Sequence, residues 1–232
     1  MEIREQDNCR VMFDPDLLQE DPWQCFEPDF WQAQQAVIGS ARGRGTTWFV
    51  RGTRLDMALR HYYRGGLFGK LVKDQYWFSD WASCRSIAEF NLLQHLVTQG
   101  VRVPRPVAAR VCRTGLYYRA DLLTEKVPEA TDLVDRLQQG PLTDTQWQAV
   151  GAMIRKMHDS QVNHTDLNAH NILLDAQAQI WLIDFDKCAV EAGEPWKAEN
   201  LSRLHRSFVK EVDKAGIHWQ EADWQALLAG YQ

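Results

Sequence analysis

His164-Thr165-Asp166 is followed, after four intervening residues, by Asn171, and Asp184-Phe185-Asp186 begins nine residues after Asp175. These amide and carboxylate groups lie among Ile172, Leu173, Leu174, Trp181, Leu182 and Ile183. Such company places them near an interior, where an unpaired charge is costly or neutralises itself. A cation is the natural partner. Mg2+ takes carboxylates, amide oxygens, phosphates and water, so Asn171 and Asp184 read as metal ligands and Asp166 as the group that accepts or orients a hydroxyl proton. Taken singly, Asp166 also reads as a loop cap, Asn171 as a turn residue and Asp184 as a helix cap. Their joint spacing favours phosphoryl transfer from a nucleotide.

The pattern His-x-Asp-x-x-x-x-Asn with a following Asp-Phe resembles the catalytic loop and metal-binding segment of protein kinases. Longer strings are more specific. HTDLNAHNILLD, IDFDKC, IGSARGRGTTWF, ALRHYYRGGLFGKLVKDQYWF, VPRPVAARV and LLTEKV resemble the bacterial 3-deoxy-D-manno-octulosonic acid (Kdo) kinases, which group with the lipopolysaccharide-core kinases in the protein-kinase-like superfamily. The resemblance runs from about Trp31 to the C-terminus. It implies an α+β, two-lobed protein-kinase-like fold, with a small antiparallel-sheet N-lobe (residues 1–126) and a larger, mainly helical C-lobe (127–232). It also implies transfer of the γ-phosphate of ATP, with Mg2+, to the 4-hydroxyl of a Kdo residue on a lipid A precursor. Asp166 is then the catalytic base, with Asn171 and Asp184 on the metal. A lipid-linked acceptor further implies a peripheral protein on the cytoplasmic side of the bacterial inner membrane.

The chain departs from the protein-kinase pattern at several points. Thr165 replaces the Arg that pairs with a phosphorylated activation loop, Asn168 stands where a Lys is usual, and no Ala-Pro-Glu follows. A peptide acceptor is therefore disfavoured. Asp186 replaces the Gly of Asp-Phe-Gly, either joining the metal shell or pairing with Lys187 or an Arg. Met57-Ala58-Leu59-Arg60 stands where Val-Ala-Ile-Lys is expected, so Arg60 takes the phosphate-gripping position, with Lys70 and Lys73 as rivals. Glu89 would be its ion-pair partner. Periodicity alone reads Glu89 equally well as an exposed helix acid. Gly43 and Gly45 in GSARGRG are assigned to the nucleotide phosphates, although hairpins use glycine anyway. Adenine would meet backbone groups around Lys126, between Glu125 and Val127.

Elements follow from periodicity. Residues 46–51 and 56–63 predict an antiparallel hairpin, 106–111 and 117–123 two further strands, and Ile87, Phe90, Leu93 and Val97 a helix that stops at Gly100. After Val127-Pro128 the pattern turns helical: around 133–137, from the capping pair Thr143 and Gln146 onward, at 201–212, and at 219–232.

Composition narrows the classes. The net charge is −5, yet residues 42–81 hold eight Lys or Arg against three acids, a local +5 that leaves −10 elsewhere. Residues 60–81 interleave these cations with Tyr, Phe and Trp, which suits a phosphorylated glycolipid at headgroup level or, alternatively, a solvated surface over packed aromatics. A sequence pI near 5.8 and the lack of a nucleic-acid motif argue against nucleic acid. No obligate protein partner is evident. The N-terminus has no secretory pattern. Five scattered cysteines without a CxxC pair read as reduced thiols, with neither a disulfide framework nor a zinc site. A binding module that keeps the fold without catalysis is the reading from another class; intact Asp166, Asn171 and Asp184 oppose it.

Overall fold

Runs rich in Val, Phe, Tyr and Trp become strands in the first half of the chain, because such side chains fit a pleated, half-buried surface. The computed structural model describes residues 1–42, 45–64 and 74–232. They form two units, Met1–Gln94 with Arg105–Lys126, and His95–Pro104 with Val127–Gln232.

The first unit contains β1 (Glu2–Gln6), β2 (Cys9–Phe13), α1 (Pro28–Ala33), β3 (Val37–Arg42), β4 (Thr46–Arg51), β5 (Asp56–His61), β6 (Tyr76–Trp77), most of α2 (Arg85–Thr98), β7 (Pro106–Thr114) and β8 (Tyr117–Glu125). The strands make one antiparallel sheet in the order β1-β2-β7-β8-β5-β4-β3, with β6 also on β8. The expected hairpin of residues 46–51 and 56–63 is β4 with β5, in register Thr47 to Arg60. Val11, Phe13, Trp31, Val50, Met57, Leu59, Val107 and Leu123 form its core. α2 docks through Ile87, Phe90 and Leu93, all buried, and Ser86 Oγ donates to the Arg110 carbonyl at 2.9 Å. It ends before Gly100, whose φ of 71° is the left-handed conformation that glycine adopts without penalty.

Two sequence expectations are corrected here. Cys9 and Cys112 are joined in a disulfide, so not all five cysteines are reduced thiols. Their strands pair with these two residues directly opposite, a contact across 103 positions of sequence that no local spacing rule detects. Cys25 and Cys84 are free and buried; burial pushes both thiols up, that of Cys84 to about 12, which keeps it protonated. The second correction concerns the basic turn GSARGRG: β3 runs through Gly39 and Ser40 to Arg42. Gly43 and Arg44 lie outside the described residues, as do Lys70 and Lys73.

The second unit contains β9 (Thr131–Asp132), α3 (Leu133–Gln138), α4 (Asp144–Asp159), β10 (Val162–Asn163), β11 (Ile172–Leu174), β12 (Ile180–Leu182), β13 (Ala189–Val190), α5 (Pro195–Ala215) and α6 (Glu221–Tyr231). Thr143 and Gln146 form the capping box that starts α4. α4 buries Trp147, Val150, Ile154 and Met157 and packs on α6. The two backbones approach at glycines: a Cβ on Gly151 would overlap the Leu227 carbonyl, and one on Gly230 the Gln148 carbonyl. A helical glycine costs about 1 kcal/mol relative to alanine, a penalty that this close approach offsets. Residues 95–104 join this unit because Leu182 N–H donates to the Arg102 carbonyl at 3.0 Å and His95 Nε2 meets the Ser160 carbonyl at 3.2 Å. Among the described residues no helix is long and apolar enough to cross a membrane.

Candidate phosphotransfer site

In the second unit the loop from His164 to Asn171 enters β11, and β11 pairs with β12, which runs into Asp184. Two bonds to the backbone of a single residue, Ile183, hold loop and strand together. The Ile183 N–H donates to the Asn171 carbonyl at 3.0 Å, and the Ile183 carbonyl lies 3.0 Å from His164 Nε2. His164 is fully buried against the Phe185 ring, 4.7 Å between centroids. Burial lowers its pKa despite the opposing Ile183 bond and the nearby Asp184 and Asp166. A neutral ring that donates from Nε2 leaves Nδ1 as acceptor, and Nδ1 has no hydrogen-bond partner. His164 is thus a structural staple next to the chemistry.

Asp166 is exposed while its backbone is braced: its carbonyl accepts from Asn168 Nδ2 at 2.8 Å and from Asn171 Nδ2 at 3.0 Å. The Asn171 amide donates from Nδ2 in that bond, and its Oδ1 is the atom that could accept a cation. Asp184 holds φ of 63°, a conformation uncommon for a residue with a Cβ and frequent at functional sites. Among the described residues no group of three or more His, Cys, Asp or Glu could hold a metal. Asn171 and Asp184 offer an amide oxygen and a carboxylate, donor types that Mg2+ takes together with phosphates and water. Asn171 and Asp184 are the residues that would hold it. Asp186 is half-buried, and its carbonyl is approached by Cys188 Sγ at 3.9 Å.

In the first unit Arg60 and Glu89 meet. Arg60 Nη2 donates to both carboxylate oxygens of Glu89, at 2.6 and 2.5 Å. Glu89 is buried, 5% exposed, so the exposed-acid reading does not hold. Tyr62, which sequence reasoning passed over, donates its hydroxyl to the same carboxylate at 2.5 Å. A Cβ on Gly45 would overlap the Tyr63 ring, so that glycine already serves close packing. The N–H groups of Glu125 and Lys126 are committed to Arg105 and Asp56, both at 2.8 Å. An adenine at this segment is left with carbonyls or Val127. The Lys126 ammonium lies over the Phe49 ring at 5.5 Å.

Residues 28–231 match the family model described as the lipopolysaccharide kinase (Kdo/WaaP) family. The chain belongs to this family. It is similar to proteins named 3-deoxy-D-manno-octulosonic acid kinase from Photobacterium profundum, 62% identical over 97% of this chain and 96% of that one, and from Vibrio cholerae, 61% identical over 96% and 94%. Another so named, from Actinobacillus succinogenes, is 49% identical over 100% and 99%.

In this lipopolysaccharide kinase family member, one face of α5 fastens the loop from His164 to Asn171, a role that sequence reasoning missed. Asn200 Oδ1 accepts the His164 N–H at 3.2 Å, and its Nδ2 donates to Asn163 at 2.9 Å. Ser207 Oγ accepts the Ala169 N–H at 3.0 Å. The signal was present as polar residues interrupting the apolar stripe Leu201, Leu204, Phe208 and Val212. His158, fully buried on α4, joins the same cluster through Asn200 at 3.4 Å and the Tyr231 hydroxyl at 2.7 Å. Burial, with help from Lys197, pushes its pKa down to about 4. That lies below the ordinary 6.5, so acid favours the unfolded chain: the stability is whole above pH 6.5 and is lost as pH falls towards 4. His158→Gln is expected to flatten the fall in Tm between those two pH values. An unchanged slope would locate the acid sensitivity elsewhere.

Proposed function

We propose that the protein is an ATP-dependent, Mg2+-assisted kinase that phosphorylates the 4-hydroxyl of a Kdo residue on a lipid A precursor, in lipopolysaccharide inner-core synthesis. The observation that carries this reading is the catalytic loop with Asp166 exposed and Asn171 bonded to the peptide before Asp184, in a chain 49% to 62% identical to proteins named as Kdo kinases. The acceptor oxygen forms a bond to the γ-phosphorus as the bond to ADP breaks, and its proton passes to Asp166. Asn171 and Asp184 would hold Mg2+, whose bound charge would offset that on the phosphate oxygens. Arg60, oriented by Glu89, contributes a planar donor group for the nucleotide phosphates.

The acceptor is lipid-linked, and the protein works peripherally at the cytoplasmic face of the inner membrane. Trp77 is 61% exposed beside Tyr117 and Leu116, also exposed, whereas Tyr62 and Tyr76 are buried. This supports a headgroup-level contact by part of segment 60–81. The test is product analysis after incubation with Mg2+, γ-labelled ATP and a Kdo-bearing lipid A precursor. Label on the Kdo 4-hydroxyl is expected; tight nucleotide binding without transfer would redirect the assignment to another acceptor or to a non-catalytic module.

A further inference from the structure

We propose that Arg203 on α5 is the docking point for the carboxylate of the acceptor, and so a determinant of specificity for an acidic sugar. The inference rests on the Kdo reading above. Arg203 Nη1 stands 3.5 Å from Asp166 Oδ1, and the two side chains are 43% and 54% exposed. An ion pair this open to water contributes little and exchanges partners readily.

The catalytic loop does not need this contact for its shape. Asn200 and Ser207, three residues before and four after Arg203 on the helix, already bond the loop backbone, and Asn168 and Asn171 brace the Asp166 carbonyl. Other basic side chains of this region are directed elsewhere. Lys197 pairs with Glu194 at 2.8 Å, Arg206 donates to Ser202 at 2.6 Å on its own helix, and His170 lies between Asp132 and Glu211 at 3.4 and 3.7 Å. Among the described residues, Arg203 is the cation that pairs with Asp166.

The chemistry supplies its use. A free Asp166 carboxylate is required to take the hydroxyl proton, and a guanidinium resting on it would compete for that lone pair. A 2-ulosonic acid arrives with an ionised carboxylate, into surroundings already negative from Asp166, Asp184 and the nucleotide phosphates. Without a cation on the acceptor side, that charge opposes binding. A guanidinium fork matches a carboxylate with two parallel hydrogen bonds. By moving from Asp166 to the acceptor carboxylate, Arg203 frees the base and fixes the sugar in the same step.

The test compares wild type, Arg203→Gln and Arg203→Lys on the Kdo-bearing acceptor and on the same acceptor with its carboxylate converted to the primary amide. Arg203→Gln is expected to raise the acceptor KM by about ten- to a hundredfold while leaving KM for ATP and Tm close to wild type. Arg203→Lys should restore part of the loss. The amide should cost wild type a similar factor and cost Arg203→Gln nothing further, because both changes remove one contact. Equal losses on acid and amide, or a fall in kcat with acceptor KM unchanged, would overturn the proposal and make Arg203 a support for Asp166. Wild type that transfers to a neutral sugar but not to the Kdo acceptor would overturn the Kdo reading itself, and this proposal with it.

Discussion

Asp166→Ala will lower kcat for transfer to the acceptor by about a hundred- to ten-thousandfold, the usual contribution of a positioned proton acceptor. KM for ATP should stay within about twofold, because in a loose transition state this group acts on the attacking hydroxyl and not on the nucleotide. The same substitution should leave Tm nearly unchanged. The Asp166 side chain is 54% exposed, and the loop is shaped by its backbone carbonyl, which accepts from Asn168 and Asn171 whatever the side chain is. A large loss of activity without loss of fold would therefore separate chemistry from structure. Wild-type turnover in the variant, measured with labelled ATP, would remove Asp166 from the mechanism.

Glu89→Ala should do the opposite and damage the fold first. The carboxylate is almost wholly buried and accepts from Arg60 and Tyr62 at 2.5 to 2.6 Å. Truncation leaves a charged group and a hydroxyl in an apolar setting, and breaking a buried pair from one side costs about 3–5 kcal/mol. The Arg60 side chain is 28% exposed and regains some water, so the lower end applies. A loss of about 3 kcal/mol corresponds to a Tm fall of roughly 6–12 °C for a protein of this size. KM for ATP should rise as well, since Arg60 loses the partner that aims it. Glu89→Gln keeps an acceptor and should fall between the two. A Tm within about 1 °C of wild type for Glu89→Ala would refute the claim that this pair supports the first unit.

These two residues show how differently the sequence speaks. Asp166, Asn171 and Asp184 stood out as candidates because they fall in one short stretch, where spacing is itself the geometry. Glu89 was ambiguous because helical periodicity reports which face a residue occupies and not what waits there. Burial of Glu89 follows from Arg60 and Tyr62, which lie 29 and 27 residues away and arrive from and just beyond β5.

The amino-acid sequence by itself determined the β4–β5 hairpin, strands β7 and β8, helices α2 to α6 and the capping of α4, whereas β1, β2 and α1 went unannounced. It did so through local signals: the Thr143 and Gln146 capping box, the glycine after α2 and the apolar stripes. It also determined the family, through strings such as HTDLNAHNILLD. Only the tertiary structure decided what depends on contacts between distant segments. The disulfide of Cys9 and Cys112 needs the register of β2 on β7. The bracing of the loop by Asn200 and Ser207 needs α5 to fold back so that groups 36 and 38 positions apart in sequence meet. Arg203 reaches Asp166 for the same reason. Hydrogen bonds and ion pairs are short-ranged, so their partners follow from where the backbone goes, and a linear pattern records that only when both partners lie in one element.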